Sequence, residues 1–475
     1  MKQNSNSTAL VSYTIVAILS AAISFVTMIV LTRTTSEVFF GQINKFLTAS
    51  TLSMSLICLG LDSAYIRFYY EPPENANSKQ LAWKCVRPAL IVFLLISFVI
   101  LLFRNKALLI PLLGGGGSLF TIAFIFTVFS QFLNRFLTIY FRMSSKVLLF
   151  SIVSIAFAVL TKTIFIPIYC ISQKFEDNVI IAAFFLTIFM SIFFLFNVNN
   201  IIERPCHSNA NYTPVYRFAL LSSPVFVITY LNNYLPQVII SKHLGDNILG
   251  IYSAAILFGS AILVLCTGFS TFWSPYMYKN YKTEQNTIKK VHDIVLFTSV
   301  LVMSLILIFN DFIYLFIGEA FRKKQNILGM LLIYPIVIII VDTVAYGISI
   351  EKKNEISLII YLISTMTNIA LCFILIQKYG LDGVAFASMI SAIVQLIPMT
   401  YFGQKYYRSI NHISRTLFHI LILILSAVLF YFLYDKRIIF VFAELTMLAI
   451  CLVYDRKVIL WSIGLLKTKI NRRNG

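Results

Sequence analysis

Three cations sit where an apolar chain tolerates them least. Lys45, Arg135 and Lys162 each interrupt a long hydrophobic block. A cation at the centre of a bilayer costs about 2.5–3.5 kcal/mol on insertion scales, and residues kept at that cost face a cavity or a partner. Arg33 and Arg67 lie at block ends, where a long side chain can also snorkel to the headgroups. Asn233 is a neutral hydrogen-bonding group inside another block. The deep acids are fewer, Asp342 and Glu444. This excess of cations suits a cavity that holds an anion. Its field strengthens as water is excluded, and a guanidinium can fork onto phosphate oxygens. Asp342 fits two roles equally, a structural partner for one of these cations or the site of a coupling ion. Plainer readings stand beside the functional ones: Lys162 can pair with an acid on another span, Lys45 can reach the interface, and Glu37 and Asp62 read as helix-end caps.

The elements that position these residues follow from composition. Of 475 residues, 59% are hydrophobic and 12% charged, against about 25% charged in a soluble domain. The apolar residues fall in blocks of about 20, enough to cross a ~30 Å hydrocarbon layer as helices. Without water, each block must satisfy its own backbone, which selects helix. The fold class is therefore an all-α polytopic membrane protein of about fourteen transmembrane helices. Spans are expected near 9–32, 40–64, 88–104, 118–141, 147–170, 178–198, 215–240, 248–273, 291–310, 326–350, 356–376, 383–402, 415–434 and 438–454. The first block, Leu10 to Leu31, is too long for a cleaved signal and is expected to remain as a span.

A net charge of +19 would suit nucleic acid only with a soluble basic domain, and no hydrophilic stretch is long enough to form one. Positively charged cytoplasmic connections explain it better. With both termini in the cytoplasm, the inner connections carry 24 Lys and Arg and the outer ones 11. All connections are short, so a nucleotide-driven motor and a soluble catalytic domain are excluded, and the chain reads as no enzyme and as needing no cofactor. The seven cysteines are scattered without a CxxC pair, which argues against a disulfide framework or a metal site. Gly114–Gly117 lacks the Lys-Ser/Thr of a phosphate loop and reads as a turn.

The polar connection Asn199–Pro214 divides six spans from eight. This gives an N-terminal lobe at 1–200, a C-terminal lobe at 214–402, two further helices at 415–454 and a basic cytoplasmic tail at 455–475. An internal echo supports the division. Arg33 precedes Gly41, and Lys242 precedes Gly250, at the same spacing, each with an acid in the intervening turn. Units of six spans insert the same way up, as in transporters built from parallel repeats.

Four segments carry a resemblance to a known family. They are Arg33, Glu37, Phe40 and Gly41 in the first hairpin; Gly60, Leu61, Ala64, Arg67, Phe68 and Tyr69 at the end of the second span; LGDNILGIYSAA and TFWSPYMY bounding the eighth; and YGLDGVAFASMIS between the eleventh and twelfth. In their order the chain resembles the Wzx-type polysaccharide and O-antigen flippases of the multidrug/oligosaccharidyl-lipid/polysaccharide exporter superfamily. The resemblance implies two six-helix lobes around a central cavity, plus two extra C-terminal helices. It implies a flippase that moves an undecaprenyl-diphosphate-linked oligosaccharide from the cytoplasmic to the periplasmic leaflet of the bacterial inner membrane. Membrane lipids, a polysaccharide polymerase and a chain-length regulator are its implied partners, with no nucleic acid. Arg33, Lys45, Arg67, Arg135, Lys162 and Asn233 are then candidate substrate contacts, and Asp342 the candidate coupling site. Many members carry an Asp-Arg pair in the seventh span, where this chain has Asn233 and Tyr234.

Two rivals remain. A multidrug exporter of the same superfamily would share the fold, but its cavity would need acids for cationic drugs. A membrane glycosyltransferase or polysaccharide polymerase would need a large outer loop with paired acids, and the outer connections are short and acid-poor.

Overall fold

The computed structural model describes residues 19, 22–23, 25–102, 106–144, 146–203, 210–351 and 353–461. All its regular elements are helical. Twelve helices are long and apolar enough to cross a membrane, or up to 13 if a bent pair counts as one span. The expected first span lies mostly outside the described residues; what is described of it ends in helix α1, Phe25–Thr34. The basic tail beyond residue 461 also lies outside them.

The chain divides into two compact units, Met1–Ser253 and Ala254–Gly475. The first contains α2 (Glu37–Cys58), α3 (Leu61–Phe68), α4 (Ser78–Leu102), α5 (Lys106–Leu113), α6 (Ser118–Met143), α7 (Val147–Thr163), α8 (Phe165–Ile171), α9 (Phe175–Ile201), α10 (Thr213–Leu244) and the first turns of α11 (Asp246–Asn280). The expected third span, 88–104, is longer than its apolar block. The amphipathic start of α4 buries Leu81, Ala82 and Cys85, so Lys84 and Arg87 stand inside a helix rather than in a connection.

Lipid tails are as apolar as leucine, so membrane helices associate through packing and polar contacts rather than through expulsion of water. In the first unit a phenylalanine cluster supplies the packing. Phe46 of α2 meets Phe120 and Phe124 of α6 at 5.7 and 5.5 Å and Phe175 of α9 at 6.2 Å between ring centroids. Glycine supplies close approach. A Cβ on Gly41 would lie 2.4 Å from the Asp246 carbonyl oxygen, and one on Gly250 would lie 2.1 Å from that of Glu37. The two glycines of the sequence echo therefore pack against each other where α2 crosses the first turn of α11. Each is met by the residue four before the other.

The span expected at 40–64 is broken. Leu59 and Gly60 both adopt positive φ, 44° and 72°, and α3 leaves α2 at 59°. Glycine is required at the second position, because a Cβ there would lie 2.4 Å from the Ala219 carbonyl oxygen of α10.

The second unit contains the rest of α11 with α12 (Gln285–Ile308), α13 (Asn310–Tyr314), α14 (Leu328–Val344), α15 (Tyr346–Ile350), α16 (Asn354–Tyr379), α17 (Leu381–Tyr406), α18 (Ile413–Phe432) and α19 (Arg437–Tyr454). The mostly buried α14 packs on α12, α17 and α18. Its neighbour α17 also holds α16.

Candidate functional site

The break between α2 and α3 creates the first polar site. Asp62 lies in the first turn of α3, where unpaired backbone N–H groups and the helix dipole favour an anion. Arg135, on α6, reaches across to it. Its Nη2 and Nε both contact Asp62 Oδ2, at 2.6 and 2.8 Å. The pair is asymmetric: the arginine side chain is 41% exposed and the aspartate 11%. Asp62 is thus an ion-pair partner for one of the expected cavity cations, beyond a place at a helix end.

The second site lies toward the other end of α2. Lys45, 1% exposed, donates from Nζ to Asp246 Oδ1 at 3.1 Å and to Ser241 Oγ at 2.5 Å. Ser241 Oγ in turn donates to Asp246 Oδ1 at 2.5 Å, and Gln42 Nε2 donates to Oδ2 at 3.0 Å. Every group in this knot comes from α2, the end of α10 or the start of α11. Sequence reasoning took Asp246 only as a turn acid. Its pairing was implicit in the echo: Lys45 lies four residues after Gly41 and Asp246 four before Gly250, and a glycine crossing brings such positions together.

The remaining expected contacts are dispersed. Lys162, half-buried on α7, makes no ion pair or hydrogen bond among the described residues. Arg67 is exposed at the end of α3, bonded to Glu71 at 2.9 Å and lying over Phe68. Arg33 is exposed near the end of α1. Asn233 is exposed on α10, whereas its neighbour Tyr234 is buried and donates its hydroxyl to the Leu112 carbonyl at 2.7 Å.

The second unit has its own polar sites. Asp342 on α14 accepts from the Ser270 hydroxyl, and its backbone carbonyl accepts from Trp273 Nε1 at 3.0 Å. No Lys or Arg pairs with it among the described residues. Glu444 on α19 is buried, with Oε1 accepting from Ser304 and Ser426 at 2.5 and 3.0 Å. A further network, unforeseen from sequence, ties α12 and α18 to the residue after α19. Arg415 Nη1 bonds Asp293 at 2.7 Å, Arg415 Nε lies 3.3 Å from Asp455 Oδ1, and His419 Nε2 bonds Asp455 at 2.7 Å.

A family model described as "Polysaccharide biosynthesis protein" matches residues 9–281, more than half of the chain. The chain belongs to the polysaccharide biosynthesis protein family. No curated protein matches this family member in sequence. Its fold is that of the multidrug/oligosaccharidyl-lipid/polysaccharide (MOP) superfamily. A structure of "Lipid II flippase MurJ, inward closed conformation" matches with TM-score 0.68 at 16% identity, covering 94% of this chain and 99% of that one. An inward-facing multidrug resistance MATE transporter matches with TM-score 0.56 at 14% identity, covering 82% and 94%. A MOP superfamily transporter from Pyrococcus furiosus matches with TM-score 0.56 at 14% identity, covering 84% and 95%.

Proposed function

We propose that this family member is a flippase for an undecaprenyl-diphosphate-linked oligosaccharide, carrying it from the cytoplasmic to the periplasmic leaflet of a bacterial inner membrane by ion-coupled alternating access. The reading is supported by the family, by the likeness of the fold to a lipid II flippase, and above all by Arg135. Its side chain is 41% exposed while that of its partner Asp62 is 11% exposed. A cation held at one side by a buried acid and open on the other can take a phosphate oxygen without leaving an uncompensated charge behind. Lys162 adds a second cation without a counter-ion among the described residues. Arg33, Arg67 and Asn233 are exposed, Arg67 with Glu71 as its partner, while Lys45 is held by Asp246.

Asp342 is the proposed coupling site, a carboxylate without a cationic partner among the described residues. Asp342→Asn should make transport insensitive to an imposed proton or sodium gradient. Gradient-driven transport equal to that of the unmodified protein would leave Asp342 a structural role. A polymerase with a chain-length regulator would consume the product outside. The deciding experiment is reconstitution of the protein in liposomes with a panel of lipid-linked glycans, scoring which glycan becomes accessible to an external lectin. No protein-dependent exposure of any of them would refute the reading.

A further inference from the structure

Besides the intramembrane cations, the second unit holds a cavity of different chemistry. It has a volume of about 200 Å³, and its nine lining residues include Tyr278, Asp342, Tyr346, Ser349, Ser357 and Tyr361. Six of the nine side chains thus carry a hydroxyl or a carboxylate. Two other cavities in the same unit are lined by Ile, Leu, Val, Pro and Phe alone.

The lining is specific in what it lacks as well as in what it has. No Lys or Arg lines it among the described residues, so the cavity offers a diphosphate no compensating positive charge. One carboxylate stands among five hydroxyls, each able to donate and accept. That set matches a polyol, whose own hydroxyls donate to the carboxylate and exchange bonds with the rest. The carboxylate is held at one oxygen by Ser270, while Trp273 fixes the Asp342 backbone. Oδ1 makes no bond among the described residues. Tyr278 and Tyr346 meet edge to face, 5.7 Å between centroids and 74° between planes. This contact sets the ring planes, and an aromatic ring is a platform for the C–H face of a pyranose. The volume also discriminates, being below the ~300–1,000 Å³ of pockets that hold drug-sized ligands.

We infer that the cavity around Asp342 is a subsite for one pyranose ring of the transported glycan, with the carboxylate accepting sugar hydroxyls and a tyrosine ring carrying the sugar's apolar face. The inference rests on the flippase reading for the origin of the sugar. It deepens that reading by separating two recognition tasks: cations of the first unit take the diphosphate, and the hydroxyl-rich cavity of the second takes a sugar. Asp342 then serves the sugar and the coupling ion at different points of the cycle.

The test is saturation-transfer NMR on the full chain in lipid nanodiscs, titrated with the methyl pyranosides of glucose, galactose, mannose, rhamnose, fucose and N-acetylglucosamine. At least one should show saturable transfer. Asp342→Asn should weaken it about tenfold or more, the effect of losing bonds to a charged acceptor. Ser349→Trp, which fills the cavity, should abolish it. If Ser349→Trp does not elute as a single species, Tyr361→Phe replaces it, removing one hydroxyl without changing ring volume and weakening binding severalfold. No transfer from any glycoside overturns the inference, as does unaltered affinity in Asp342→Asn and in whichever of Ser349→Trp or Tyr361→Phe is tested. Asp342-dependent binding of tetraphenylphosphonium in place of the glycosides also overturns it, by assigning the cavity to an organic cation. The parent reading fails separately. A protein that binds a glycoside through Asp342 but exposes no lipid-linked glycan keeps the sugar site and loses the flippase assignment.

Discussion

Asp246→Asn should destabilise the protein far more than Lys45→Met, although both break the same ion pair. At 3.1 Å the two charges attract by about 5 kcal/mol at an effective dielectric of ~20. Removing the negative charge leaves the Lys45 ammonium at 1% exposure with only neutral acceptors, the Asn carbonyl and Ser241 Oγ. Breaking a buried pair from one side in this way costs about 3–5 kcal/mol. Removing the lysine leaves Asp246 20% exposed, with bonds from Gln42 and Ser241 retained and a place in the first turn of α11. Those contacts limit the loss to about 1.5–3 kcal/mol, the worth of a hydrogen bond to a charged group. The double variant should recover most of the loss, because no buried charge remains. The measurement is a thermal series of the four proteins in one detergent, read by the fraction that stays monodisperse. Equal midpoints for the two single variants, or a double variant no better than Asp246→Asn, would refute the reasoning. If Lys45 also meets substrate during the cycle, Lys45→Met lowers transport at normal abundance, and Asp246→Asn lowers abundance itself.

Gly250→Ala should reduce abundance in the membrane: its Cβ would lie 2.1 Å from the Glu37 carbonyl oxygen, and such overpacking costs about 1–3 kcal/mol. Normal stability of that variant would show that the crossing can open. Arg135→Ala should cut transport per molecule in the membrane tenfold or more, by about the factor expected for a lost charged hydrogen bond, and Arg135→Lys should keep part of it because charge survives without the fork. Normal transport by the alanine variant would confine Arg135 to holding Asp62. A reporter fused after Gly475 should register in the cytoplasm, and a periplasmic signal would overturn the even number of spans.

Membrane spans were legible in the sequence because a chain without water has one way to satisfy its backbone, and the apolar blocks mark where that holds. The errors fall where this logic weakens. The amphipathic start of α4 looked like a connection because Lys79, Lys84 and Arg87 outweigh four buried apolar neighbours, Leu81, Ala82, Cys85 and Val86. The break at Leu59–Gly60 was invisible because both residues are common inside membrane helices, and only the approach of α10 requires the turn. For the sites, sequence depth identified Lys45, Arg135 and Asp342 as residues needing an explanation. Their surroundings come from elements distant along the chain: Asp62 lies 73 positions from Arg135, and Asp246 lies 201 from Lys45. Only the latter pair left a trace, in the spacing around the two glycines.

The glycine contacts of α2 also constrain how the first unit can rearrange. Gly41 and Gly60 each touch backbone of the α10–α11 segment with no side chain between, and they lie about 28 Å apart along the chain at 1.5 Å per residue. A helix held at a single point can pivot, whereas one held near both ends keeps its register. Sliding α2 by one residue would bring Phe40 or Gln42 into the slot at Gly41, and Leu59 or Leu61 into the slot at Gly60. Neither slot has room for a side chain. The register of α2 is therefore fixed at one end by the start of α11 and at the other by α10.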